Sequence, residues 1–335
     1  MDVELPTMFP WQREVLERAL ALKQENRLPQ AVMLETASDY QMDDLARYIS
    51  MLLLCDQPQN LSLCGICEAC RMMSAGTYAD FSLVTLEVDT KSKKLNKNIK
   101  IEQIRNLIHE LHLTRKYSRL KIAVIYPAEA MNKSSANALL KTLEEPAAGV
   151  LLLLVTRNPG RIPITLRSRC QSWTIDPADQ QASLEWLTDQ GGDAKTAAQY
   201  LQYASGDPLL AMDLQQQNYA QRVDSFKSSL TAFLRGGKSV SELCKNLLSG
   251  EVSVSRRLIE MTLKAYCYKA CGIDSTGGST ASMPSTVEWS RAQELLDLQR
   301  RAQQQLQVEE NNLDFQLQLE DVLISLKQIL TRRLN

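Results

Sequence analysis

Glycine is scarce in this chain: 13 of 335 residues, the first of them Gly65. A glycine-rich phosphate-binding loop is therefore excluded from everything before Gly65. Long apolar runs are also missing. The longest strongly apolar stretch, Val150 to Val155, is far short of the roughly 20 residues that span a bilayer. No transmembrane helix is expected. Charge of one sign is lacking too: 38 basic residues face 39 acidic ones, leaving a net charge of -1. No global field draws such a protein onto DNA or an anionic membrane, so any nucleic-acid contact must be local. Only 2 histidines are present. His109 and His112 lie three apart on a helical pattern without a third ligand and read as helix-surface residues. The start, Met1-Asp2-Val3-Glu4, has no basic and apolar secretory signal, so the expected location is cytoplasmic, where disulfides are rare.

What is present is globular. Hydrophobic residues at 44% and charged residues at 23% rule out wholesale disorder. At about 150 residues per domain, the length predicts two or three domains. The first half alternates short apolar runs with helical patterns, the signature of a parallel α/β sheet. Strands are expected at Ala31 to Leu34, Phe81 to Val88, Lys121 to Tyr126, Val150 to Val155 and Ser172 to Ile175. Ile101, Ile104, Ile108 and Leu111 recur at helical spacing, and Ser135 to Glu145 forms a second helix closed by Pro146. Trp11, preceded by Pro10, packs at the start of this domain. Beyond Pro177 the strand signal fades into short helices around the turn Ser205-Gly206-Asp207-Pro208. From Asn218, Val223, Phe226, Leu230, Phe233 and Leu234 begin an all-helical region, continued by Leu243, Leu247 and Leu248. Its final helix carries Leu319, Val322, Leu323, Leu326, Ile329 and Leu330. Asp274 to Thr286, rich in Ser and Thr, is expected to be a mobile loop.

Four of the 8 cysteines fall at Cys55, Cys64, Cys67 and Cys70. Two residues between cysteines allow both thiolates to turn onto one ion, and four thiolates complete the closed tetrahedral shell of a structural Zn²⁺. A chance cluster of unpaired thiols and a redox Cys-x-x-Cys pair are the competing readings. Nucleotide chemistry is poorly supplied. After the first strand the chain reads Glu35-Thr36-Ala37-Ser38-Asp39-Tyr40-Gln41-Met42-Asp43-Asp44, with neither glycine nor the lysine a P-loop requires. The third strand ends in Tyr126-Pro127-Ala128 instead of acidic residues that hold Mg²⁺, and Glu129 comes too late to take that place. The layout is that of a nucleotide-binding fold whose chemistry is disabled.

Two motifs carry a resemblance. Ser134-Ser-Ala-Asn-Ala-Leu-Leu-Lys-Thr-Leu-Glu-Glu-Pro146 and Leu166-Arg167-Ser168-Arg169-Cys170 resemble those of the bacterial clamp-loader subunits of the AAA+ family, which serve DNA polymerase III. A four-cysteine insertion before the second strand is also found in that family. The likeness is detailed over Ala31 to Pro177 and looser beyond. It implies an AAA+ α/β domain at 1–177 with a zinc module at 55–70, a small helical lid at 178–216 and an all-α collar, the oligomerisation domain, at 217–335. It implies that Arg169, with Ser168 beside it, acts as an arginine finger in the ATP site of a neighbouring subunit, where a permanently charged planar guanidinium suits γ-phosphate oxygens. Without the resemblance, Arg167 and Arg169 read as surface arginines. Cys170 is expected to pack at a strand start, and Thr156 falls at the family's sensor position or is structural. The lid turn Gly206-Asp207-Pro208-Leu209 lacks the sensing arginine of active members.

The implied function is a non-catalytic subunit of the sliding-clamp loader that binds no ATP itself. Its implied partners are motor subunits of the tau/gamma type and a delta subunit in a hetero-pentamer, with the sliding clamp and primer-template DNA reached through the assembly and no membrane. A self-sufficient AAA+ ATPase is the alternative, weakened by the missing P-loop lysine. A zinc-dependent nucleic-acid-binding protein would leave both motifs unexplained. The run Lys91, Lys93, Lys94, Lys97 and Lys100 is either a solvated loop or a contact for DNA or a partner.

Overall fold

The computed structural model describes residues 8–36, 42–88, 95–118, 120–145, 147–175, 179–248, 252–273, 286–306 and 312–332. The phosphate-loop position at 37–41, Lys91, Lys93 and Lys94, Pro146, Pro177 and nearly all of the expected loop at 274–286 lie outside them. The described chain falls into two compact units, Met1–Ala211 and Met212–Asn335.

The first unit is a five-stranded sheet with helices. In chain order it contains α1 (Arg13–Gln24), β1 (Ala31–Thr36), α2 (Met42–Leu54), α3 (Glu68–Ser74), β2 (Phe81–Val84), α4 (Ile101–His112) and β3 (Lys121–Ile125). It continues with α5 (Lys133–Glu144), β4 (Val150–Thr156), α6 (Ile164–Arg167), β5 (Gln171–Ile175), α7 (Gln180–Asp189) and α8 (Ala194–Tyr203). The next helix, α9 (Pro208–Gln216), runs across the division between the units. The sheet order is β2-β3-β4-β1-β5, and every pairing is parallel.

Burial on both faces explains why β3 and β4 read as unbroken apolar runs, since all their residues are buried. Side chains alternate between two cores. Val32, Leu34, Leu151, Leu153 and Trp173 face one side with Val15 and Leu16 of α1 and Leu45, Ile49 and Leu52 of α2. Ala31, Met33, Leu152 and Leu154 face the other with Ile104, Leu107 and Leu111 of α4 and Ala136 and Leu139 of α5. Strand β5 shows the edge pattern, with Trp173 and Ile175 inward and Ser172 and Thr174 exposed.

Strand β2 stops at Val84 rather than at the expected Val88. Its partner β3 ends with Ile125 opposite Val84, and the last main-chain bond runs from Tyr126 N to Val84 O at 2.9 Å. Pro127 follows and has no N–H to extend the ladder. Helix α5 begins two residues before the expected Ser135, because the Asn132 side chain caps it by accepting from Ser135 N at 2.8 Å. Trp11 does pack at the start of this unit, stacked on Phe9 and edge-on to Trp186. His109 and His112 are exposed on α4.

The second unit is helical: α10 (Tyr219–Leu234), α11 (Val240–Leu248), α12 (Val252–Ala270), α13 (Thr286–Gln305) and α14 (Asn312–Thr331). Phe226, Leu230, Leu243, Leu247, Leu319, Val322, Leu323 and Leu326 are buried, as their helical spacing predicts. The Lys327 ammonium donates to Phe233 O at 2.8 Å and lies 4.5 Å from the Phe233 ring centre, tying α14 to the end of α10. Among the described residues of this unit, large apolar side chains stay exposed at Ile273, at Trp289 and Leu296 on α13, and at Leu317 and Ile324 on α14.

Candidate functional site

Three groups of residues stand out. The first is the cysteine cluster, assembled from the end of α2 and the turn into α3. The sulfurs of Cys55, Cys64, Cys67 and Cys70 all lie within 4.8 Å of one another. A tetrahedral shell with 2.3 Å metal–sulfur bonds sets sulfur pairs about 3.8 Å apart, and Cys64 and Cys70 stand at 3.9 Å. The backbone prepares the site. Gly65 takes φ +70° in an open space, so its backbone conformation rather than crowding calls for glycine. The turn lets Cys67 N donate to Cys64 Sγ, and Cys70 N donate to Cys67 Sγ, both at 3.4 Å. Such donors favour thiolates. The N–H groups of Cys67 and Ile66 push the Cys64 thiol down to about 6. Burial pushes Cys55 and Cys70 up, so a cation is what their ionised forms lack. These four residues are placed to hold a metal ion.

The second group lies at the carboxyl ends of β3 and β4. In open parallel sheets, ligands bind in the crevice outside these ends, where the strand order reverses; here β1 lies between β4 and β5. Thr156 closes β4, is fully buried, and donates from Oγ1 to Glu129 Oε2 at 2.7 Å while accepting from Asn158 N at 3.1 Å. Spacing along the chain set Glu129 aside. It reaches the strand ends because Ala128–Ala130 wind into a 3-10 turn that folds back over β4. Its carboxylate is only 8% exposed, with Oε1 buried without a hydrogen bond and 3.8 Å from Arg157 Nε. A carboxyl side chain paired with Arg157 therefore lines the crevice at the ends of β3 and β4.

The third group surrounds Arg169, in the turn between α6 and β5. Its Nη1 donates to Thr165 O at 2.8 Å and to Ser168 Oγ at 3.4 Å, and its Nη2 donates to Glu144 Oε1 at 2.7 Å. The side chain stays 36% exposed. Arg167, two residues earlier, instead buries its Nε. Cys170 is half-buried and packs on the core, and burial pushes its thiol up to about 11. Arg169 borders a cavity of about 360 Å³ together with Ala31, Val150 and Gln171, which begin β1, β4 and β5. It therefore lies at the amino edge of the sheet. Thr156 is at the opposite edge, about 20 Å away at ~3.3 Å per strand residue.

The remaining sequence features are more local. The lid turn is a helix cap: Asp207 Oδ1 accepts from Leu209 N and Leu210 N at 3.0 and 3.1 Å. Of the basic run, Lys100 pairs with Glu87 at 3.6 Å.

Comparison with known proteins bears on the sheet of the first unit. A family model described as DNA polymerase III, delta subunit, matches residues 11–179, which hold all five strands, the cysteine cluster and the Arg169 turn. The DNA polymerase III subunit delta' of Pseudomonas aeruginosa is 32% identical over 229 residues, covering 67% of this chain and 67% of that one. The DNA polymerase III subunit delta' of Escherichia coli K12 is 32% identical over 209 residues, covering 62% of this chain and 60% of that one. The DNA polymerase III subunit tau of Salmonella typhimurium shares 33% identity over 135 residues, 40% of this chain and 20% of that one. The chain belongs to the family of DNA polymerase III delta' subunits.

Proposed function

We propose that this chain is a non-catalytic subunit of the clamp loader of DNA polymerase III, acting in the cytoplasm, and that it lends Arg169 to a neighbour's ATP site. The observation that carries the reading is the separation of the two edges of the sheet. The carboxyl edge, where such a fold would bind its own nucleotide, presents the Glu129 carboxylate, and the adjoining segment lacks phosphate-loop glycine and lysine. The amino edge presents an exposed guanidinium held by Glu144, Thr165 and Ser168. A group on the amino edge cannot reach the chain's own crevice, but head-to-tail packing brings the amino edge of one subunit to the carboxyl edge of the next. The chain then contributes a finger and hydrolyses nothing itself.

Residues 178–216 serve as the lid in this reading. Residues 217–335 form the collar, where Trp289 and Leu296 on α13 and Leu317 and Ile324 on α14 each repeat after seven residues and expose an apolar stripe for neighbouring subunits. Partners are tau/gamma-type motor subunits and a delta subunit in a hetero-pentamer; clamp and primer-template DNA are reached through that assembly. The Cys55, Cys64, Cys67 and Cys70 cluster holds a structural Zn²⁺, which pins the turn into α3 to the end of α2. Zinc with four thiolates keeps no open position and supplies folding energy rather than chemistry.

Co-purification with candidate loader subunits, followed by mass measurement of the complex, tests the assignment. Stable entry into a five-membered assembly is expected. A chain that remains monomeric among those subunits overturns it.

A further inference from the structure

We propose that Lys23 is the charge-compensating residue of the cysteine cluster, a positioning residue that holds the metal-bound form together; this rests on the reading of the cluster as a zinc site. Lys23 occupies the last turn of α1 and reaches across 32 positions of sequence to donate from Nζ to Cys55 O at 3.1 Å. Cys55 follows the final residue of α2, so the ammonium also faces the carbonyl end of that helix, where positive charge is favoured. The charged or ionisable groups that act on it are Cys55, Asp56 and Cys67.

The charge balance gives this placement its meaning. One Zn²⁺ with four thiolates carries a net charge of −2. Cys55 and Cys70 are 0% and 1% exposed, so part of that charge lies out of water. Burying an uncompensated anion is costly, and a nearby fixed cation offsets the cost. Lys23 gives up part of its solvent to stand there. The Cys55 carbonyl, the end of α2 and Asp56 favour the ammonium, and a dianionic cluster beside it adds to them. Groups around metal ligands affect affinity strongly, and their removal costs about 10- to 100-fold.

A purely structural role predicts something different. If Lys23 only ties α1 to the end of α2, its removal lowers stability equally with and without metal and leaves zinc affinity alone. The test measures zinc dissociation constants of the full chain by chelator competition at fixed pH, and melting temperatures with and without zinc. Lys23→Met and Lys23→Gln should each raise the dissociation constant about 10- to 100-fold, whereas Lys23→Arg, which keeps the charge, should stay within about threefold. The metal-free variants should melt alongside the metal-free parent chain. Unchanged zinc affinity in both Lys23→Met and Lys23→Gln overturns the proposal while leaving the zinc site standing. A parent chain that takes up no zinc overturns the reading beneath it as well, and shows this before any variant is made.

Discussion

Replacing Arg169 by alanine should separate folding from function, because the proposed finger role and the observed ion pair carry very different magnitudes. Its ion pair with Glu144 is short, 2.7 Å, but the partners are 36% and 50% exposed. Exposed pairs of this kind contribute about 0.2–1 kcal/mol, so the isolated chain should lose no more than that. At 2–4 °C per kcal/mol for units of this size, the melting temperature should fall by at most about 4 °C. A finger acting in trans stabilises charge that develops only in the transition state, and such groups contribute about 10³ to 10⁵ in rate, equivalent to roughly 4–7 kcal/mol.

The assay is a reconstituted loader carrying the variant, read by DNA-stimulated ATP hydrolysis and by clamp loading. The site served by Arg169 should fall almost silent while sites with their own fingers continue, so total hydrolysis should drop only in part. Loading should drop further, since it needs the sites to act together. Arg169→Lys should not rescue, because a lysine ammonium lacks the planar fork. Arg167→Ala, which removes a group with a buried Nε, should cost stability rather than rate. A loader containing Arg169→Ala that hydrolyses ATP and loads clamps at the unmodified rate refutes the assignment, and Arg169 is then an exposed arginine paired with Glu144.

Elemental analysis should find one zinc per chain, and none after Cys67→Ser with Cys70→Ser. Chelation should increase hydrogen exchange around Leu54 to Met72 and spare α10 to α14, since the ligands are local. Calorimetric titration of the isolated chain should show no micromolar ATP binding, because Glu129 stands at the crevice and no lysine lies between β1 and α2 to meet a phosphate; micromolar affinity would contradict the disabled site. Asp80, 1% exposed, gives a pH dependence. Burial raises its pKa, but N–H groups of Tyr117, Lys116 and Ser118 and the charge of Lys121 outweigh burial and hold it below the ordinary 3.8. Its contribution is therefore complete above that value and is lost as pH falls toward the lower folded value. Asp80→Asn should cost about 1–3 kcal/mol at neutral pH and flatten this part of the acid-unfolding curve; an unchanged curve would assign the acid sensitivity to other groups.

Much of this architecture is legible in the sequence, for reasons that can be named. Strands β1, β3, β4 and β5 fall within two residues of their expected ends because burial on both faces, or strict alternation at the edge, leaves a strong pattern. The end of β2 was hidden. Thr85-Leu86-Glu87-Val88 alternates like a strand, but what stops it is Pro127 on the partner, a pairing that the local pattern does not contain. Glu129 was missed for a similar reason: counting along the chain placed it past the strand end, whereas the 3-10 turn at Ala128–Ala130 folds it back onto Thr156. The cysteine cluster was legible because its ligands are local, whereas Lys23, far away in sequence and unremarkable in type, was not. The two edges of the sheet complete the contrast. Once all strands run parallel, a residue that ends a strand, as Thr156 ends β4, must lie on the carboxyl edge. A residue that leads into one, as Arg169 leads into β5, must lie on the amino edge. Parallel alternation therefore sets Arg169 away from the chain's own carboxyl-edge crevice, the placement that the proposed role in a neighbouring subunit requires.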